Sequence, residues 1–98
     1  MKTETYRKTE KLLKEFVIYN KILEIREEEK TKKAVENINK AMECLTETEK
    51  KIITDFFMKN KTMSDISKEI DLTREYTSKV KTAAIRKIEY ILFGKDAA

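Results

Sequence analysis

The chain has 98 residues, 40% of them apolar and 41% charged, with a formal net charge of +4 and a pI near 9.1. That is one domain, or one domain with an extension, carrying a modest core under a heavily charged surface. It has no His, no Pro, one Gly and one Cys, which excludes a Cys/His zinc site, His-based catalysis and an internal disulfide, and leaves an all-α fold as the expected class.

The N-terminus, MKTETYRKTEK, has no apolar run of the kind a secretory signal needs. No stretch approaches the ~18 consecutive apolar residues of a transmembrane helix. No membrane association is expected, and the lone cysteine fits a reducing cytoplasm. Residues 5–28 read as a long helix, because Tyr6, Leu12, Leu13, Phe16, Tyr19, Ile22 and Leu23 recur at helical spacing. The stripe Leu12, Phe16, Tyr19 and Leu23 is too large to leave in water. It either packs back on the rest of the chain or forms a homodimer, and paired half-sites favour the dimer.

The run EIREEEKTKK, residues 24–33, has no large apolar residue after Ile25. It reads as a surface helix, a helix end or a linker, with Thr31 as the restart. Residues 33–44 form a second helix with a narrow apolar face of Ala34, Val35, Ile38, Ala41 and Met42, and Leu45 just past it. Cys44 is expected to act as a small buried or half-buried hydrophobe.

At Leu45 the pattern changes, which places a boundary between an N-terminal helical segment, 1–44, and a second unit, 45–94. Thr46 and Glu49 have the spacing of a capping box. The helix they open carries Ile52, Ile53, Phe56 and Phe57 and ends near Lys59-Asn60-Lys61. Thr62 with Asp65 caps a short helix over 63–70, and Thr73 opens a last helix that runs to Phe93. Gly94 is the natural stop, and residues 95–98 form a frayed tail. The expected core of the second unit is Ile52, Ile53, Phe56, Phe57, Ile66, Ile70, Leu72, Val80, Ala84, Ile85 and Ile88.

The stretch MSDISKEIDLTREYTSKVKT, residues 63–82, is the centre of that unit. Ile66 and Ile70 lie on one face of the short helix, Asp71-Leu72 make a turn, and Thr77, Val80 and Ala84 line the inner face of the next helix. Small Ser67 sits where the two helices approach. This is helix-turn-helix spacing, in which the second helix enters the DNA major groove. Asp71 stands where the motif usually has Gly, so it needs a left-handed backbone. Thr77 stands where an aliphatic residue is usual, so its hydroxyl needs a partner.

The outward positions are Arg74, Glu75, Ser78, Lys79 and Thr82, flanked by Lys81 and Arg86. Arg74, Ser78, Lys79 and Thr82 are expected at base edges, and Lys81 and Arg86 at phosphate. Lys79 suits either role. Thr73 and the helix N-terminus favour phosphate. Glu75 either accepts from a cytosine amino group or caps the helix start, and Tyr76 either packs on the preceding helix or touches DNA. Charge agrees: residues 73–95 hold six basic residues, including Lys87 and Lys95, against Glu75 and Glu89, while the rest of the chain is nearly balanced.

Residues 45–93 resemble the sigma-factor region 4 pattern in the order of their pieces: LTETEKKIITDFF, MSDISKEIDLT, then REYTSKVKTAAIRKIEYIL, with the Ala84-Ile85-Arg86-Lys87-Ile88 tail. The resemblance implies a helix-turn-helix bundle behind a helical N-terminal segment, a double-stranded DNA partner and RNA polymerase as a further one. A short region-4-like domain of this arrangement also resembles phage and prophage transcriptional regulators of the ArpU and RinA type. That resemblance implies late-gene regulation in a low-GC Gram-positive host or its phage. Two other readings carry different outcomes: a small terminase-like packaging subunit, which would form rings, and a helical interaction adaptor without DNA binding. No nucleophile-base pair, Gly-rich phosphate loop or metal-ligand cluster is found, so no enzyme, cofactor or metal is expected.

Overall fold

A computed structural model describes residues 3–94 as helices and short connections, with no strand among them. Lys95 and the rest of the 95–98 tail lie outside the described residues. The helices are α1 (Glu4–Ile25), α2 (Glu29–Met42), α3 (Glu47–Ile53), α4 (Met63–Glu69) and α5 (Arg74–Phe93), and α3 runs on into a π-helical turn at Thr54–Met58.

Each helix start follows from a local signal. Thr3 caps α1 by accepting from the Tyr6 N–H at 3.1 Å. The α3 capping box is complete: the Glu49 N–H donates to Thr46 Oγ1 at 3.2 Å, and the Thr46 N–H to Glu49 Oε1 at 2.9 Å. Thr62 caps α4 and Thr73 caps α5 in the same way, each at 3.1 Å. Gly94 ends α5 at φ 80°, its N–H donating to Tyr90 O at 2.8 Å.

Three boundaries differ from the sequence expectation. α1 stops at Ile25, and α2 restarts at Glu29 rather than at Thr31 or residue 33. Thr31 sits inside α2, buried, its hydroxyl donating to the Glu28 carboxylate one turn back. The expected helix through Phe57 widens into the π turn, where the Lys59 N–H bonds Thr54 O at 3.1 Å and the Lys61 N–H bonds Asp55 O at 2.9 Å. Such a turn marks an inserted residue in the ladder. It closes at Asn60, φ 55°, a residue type that tolerates the left-handed region.

One core runs through all of this. Tyr6 and Leu13 of α1, Ile38 and Ala41 of α2, Leu45, Ile53 and Phe57, and Ala84, Ile85 and Ile88 of α5 form a single buried cluster. Leu12 and Phe16 pack against it from the side, so that half of the α1 stripe is covered by the chain itself. Tyr19 and Leu23 are half-buried, and the Tyr19 hydroxyl donates to Glu15 at 2.6 Å, which pushes its pKa up to about 12. Ile52 and Ile66 are also buried, as expected, whereas Phe56, Ile70, Leu72 and Val80 are only half-buried.

Cys44 departs from its expected role. It is exposed, in the tight turn between α2 and α3, where Leu45 takes the inward position instead. Among the described residues, no helix is long and apolar enough to cross a membrane.

Candidate nucleic-acid interface

The turn between α4 and α5 is closed by backbone bonds. The Asp71 N–H donates to Lys68 O at 3.3 Å and the Leu72 N–H to Ser67 O at 3.0 Å. This pair of bonds is a Schellman motif, which needs a left-handed residue just after the helix. Asp71 supplies it at φ 56°, as its position in place of Gly required. Ser67 is buried at the helix-helix approach and returns its hydroxyl to Ser64 O at 2.9 Å. Thr77 is fully buried, and its hydroxyl finds the partner it needs in Thr73 O at 2.7 Å.

A charged network sets the pose of α4. Asp55, in the π turn, is 2% exposed and faces Lys51 at 2.9 Å and Lys59 and Lys61 at 3.8 Å. Burial pushes its carboxyl up, but the three ammonium groups outweigh that and hold it below the usual Asp value. Lys51 and Lys61 also reach Glu69 at the end of α4, at 3.4 and 3.0 Å. One buried carboxylate thus gathers lysines that tie α3 and the π turn to the first helix of the motif.

The second helix of the motif sorts the predicted site residues into two rows. At about 100° per residue, Arg74, Ser78 and Lys81 form one row, and the next residue on it, Ile85, is fully buried. The row therefore turns inward. Arg74 is exposed, Ser78 is half-buried, and Lys81 lies half-buried with its ammonium 4.3 Å from the Phe56 ring centroid. Glu75, Lys79, Thr82 and Arg86 form the second row, and all four are exposed.

Thr73 precedes both rows as the cap. Tyr76 is 55% exposed beside Lys79, so it does not pack away on the preceding helix. Arg86 is engaged: its guanidinium lies 3.4 Å from Glu89 and over the Tyr6 ring at 4.8 Å. The second row also borders a shallow apolar groove of about 630 Å³ that includes Cys44, Ala83, Tyr90 and Ile91. Sequence reading did not find this groove, because it depends on where the α2–α3 turn comes to rest against α5.

A capped, outward-facing second helix, held on a short first helix by a left-handed turn, defines a helix-turn-helix protein of the DNA-binding class. Residues 41–89 match the family model of Sigma-70, region 4, and the chain belongs to that family. The match runs from the end of α2 through the π turn and α4 to Glu89 of α5. Comparison with curated proteins and with solved structures yields no match.

Proposed function

We propose that the chain is a sequence-specific transcriptional regulator that reads the major groove with the first three turns of α5. The observation that carries this reading is the outward placement of Arg74, Glu75, Lys79 and Thr82 on a helix whose start and tilt are fixed by Thr73 and Asp71. Arg74 and Lys79 reach base edges, and Tyr76 joins them at the edge of the surface. Ser78 and Lys81 sit nearer the helix-bundle side and are placed for the phosphate flank, with Thr73 at the helix start. Arg86, engaged with Glu89, extends the same surface toward phosphate.

Residues 45–94 are the DNA-reading unit on this view, and 1–44 the helical support against which it packs. The half-buried end of the α1 stripe, Tyr19 and Leu23, is where a second copy would bring two recognition helices to paired half-sites. The resemblance to ArpU and RinA type regulators supports a phage or prophage role, with RNA polymerase as the further partner.

Selection of bound duplexes from a random pool, at two salt concentrations, tests the reading. The expected outcome is an enriched motif that survives the higher salt. A pool that enriches nothing, or binding that vanishes without preference as salt rises, overturns it.

A further inference from the structure

α1 lies outside the family match, yet one side of it is built like a nucleic-acid contact. Arg7, Lys11, Lys14, Ile18, Lys21 and Ile25 alternate four and three residues apart, so they form one straight stripe. All six are exposed, opposite the buried Tyr6, Thr9 and Leu13. α1 carries four acidic residues, each engaged: Glu4, three residues before Arg7, pairs with Lys8 at 3.5 Å, Glu10 lies half-buried at the margin between Arg7 and Lys14, Glu15 accepts from Tyr19, and Glu24 pairs with Lys21 at 3.4 Å. Among the described residues, Arg7, Lys11 and Lys14 make no ion pair and no side-chain hydrogen bond.

Two contacts join this stripe to the helix-turn-helix. At one end, Arg86 closes the outward row of α5 over the ring of Tyr6, the residue before Arg7. At the other, Lys14 borders a hollow with Phe56, Asn60, Lys61 and Thr62, beside the start of α4, and Phe56 carries Lys81 on its ring. The cationic row of α5 therefore adjoins the stripe on α1, with the Glu89 carboxylate buried at the junction beneath Arg86. From Arg7 to Lys14 the helix rises about 10 Å, over which one DNA strand presents roughly three phosphates.

We propose that α1 is a second DNA-contacting surface, with Arg7, Lys11 and Lys14 holding the phosphate backbone of the same duplex whose groove α5 reads. The proposal rests on the DNA-binding reading above. Its contribution is sequence-independent: three cations displace condensed counterions and add affinity and salt dependence without base preference. Lys21 is left out, because it is paired and lies beyond Ile18.

The test compares the full chain with an Arg7→Gln/Lys11→Gln/Lys14→Gln variant on a mixed-sequence duplex of about three helical turns. The slope of log affinity against log salt should fall by about two to three units, and low-salt affinity by tenfold or more. Preference for selected over mixed DNA should stay the same. Circular dichroism checks the fold, and Lys14→Gln alone, expected to lower the slope by about one unit, serves if the triple variant is unstable.

A triple variant that keeps the wild-type slope, while wild-type chain binds and Arg74→Ala weakens it, overturns this proposal and leaves the α5 reading standing. Loss of binding to phosphatidylglycerol vesicles with an unchanged DNA slope also overturns it, by assigning the stripe to a lipid surface. Wild-type chain that binds no duplex overturns both.

Discussion

Thr5 and Glu89, 84 positions apart, meet in a 2.5 Å hydrogen bond from the threonine hydroxyl to the carboxylate. Thr3 adds a second at 2.7 Å, and Arg86 an ion pair at 3.4 Å. Glu89 is 2% exposed, so a charge inside the fold ties the first turn of α1 to the helix that carries the recognition surface.

Removing that carboxylate should release α1. Glu89→Ala removes the acceptor of two threonine hydroxyls and one ion pair of Arg86, and should cost about 1–3 kcal/mol. The urea midpoint should fall, and Glu89→Gln, which keeps one amide oxygen, should fall less. An unchanged midpoint would show that the contact contributes nothing net.

Acid should weaken the fold in a defined window. Burial raises the carboxyls of Glu49, Asp55 and Glu89, but in each the partners outweigh it: the Thr46 N–H and Lys87 for Glu49, the lysines for Asp55, and Thr5, Thr3 and Arg86 for Glu89. All three sit below their ordinary values. Their stabilisation is therefore fully present above the unfolded values, about 3.9 for Asp and 4.3 for Glu, and is lost as pH falls through the lower folded values. Denaturant midpoints measured from neutral pH downward should stay level and then drop in that range. Asp55→Asn should flatten the drop, and a profile identical to wild type would remove Asp55 from the account.

The turn residue can be tested by shape alone. Asp71 at φ 56° tolerates the left-handed region better than a β-branched residue does. Asp71→Val should cost about 1–2 kcal/mol, whereas Asp71→Gly should be neutral within about 1 kcal/mol, since relief of strain offsets the entropy of glycine. Thermal melts of the two variants give the comparison, and equal losses would contradict the backbone argument.

Phe56 makes an edge-to-face contact with Phe57, the centroids 5.0 Å apart, and carries the Lys81 ammonium over its ring at 4.3 Å. It is half-buried, so Phe56→Ala should cost about 2–3 kcal/mol, at or below the lower end of the range for core phenylalanines. Phe56→Leu should restore much of that while losing the cation–π part, about 0.5–1 kcal/mol. Chemical denaturation of both variants separates packing from ring chemistry.

For the recognition surface, Arg74→Ala should cost about 1–3 kcal/mol on selected DNA and relax preference at one base pair, since its fork suits guanine O6 and N7. Binding to a panel of single-base variants reads this out. A uniform loss across the panel would move Arg74 to the phosphate flank.

Features settled between neighbouring residues were legible in the order of amino acids. The caps at Thr46, Thr62 and Thr73, the stop at Gly94 and the turn at Asp71 are satisfied within a few residues, so their chemistry could be read in one dimension. The helix-turn-helix was legible for that reason. Features that depend on partners far apart in the chain emerged only on folding. Glu89 and Asp55 look like any charged helix residue until Thr5 or the lysine cluster arrives against them. Lys81 and Lys79 have the same chemistry and nearly the same place, yet one lies over Phe56 and the other faces outward, because Phe56 comes from a π turn that no periodicity announces. Cys44 faces outward because the inward place at that turn went to Leu45. Leu12 and Phe16 had two ways to leave water, and the helix spacing was identical for both. The choice was made by the core that α2 and α5 build beside them, since burial depends on which surface is within reach and not on which residue seeks it.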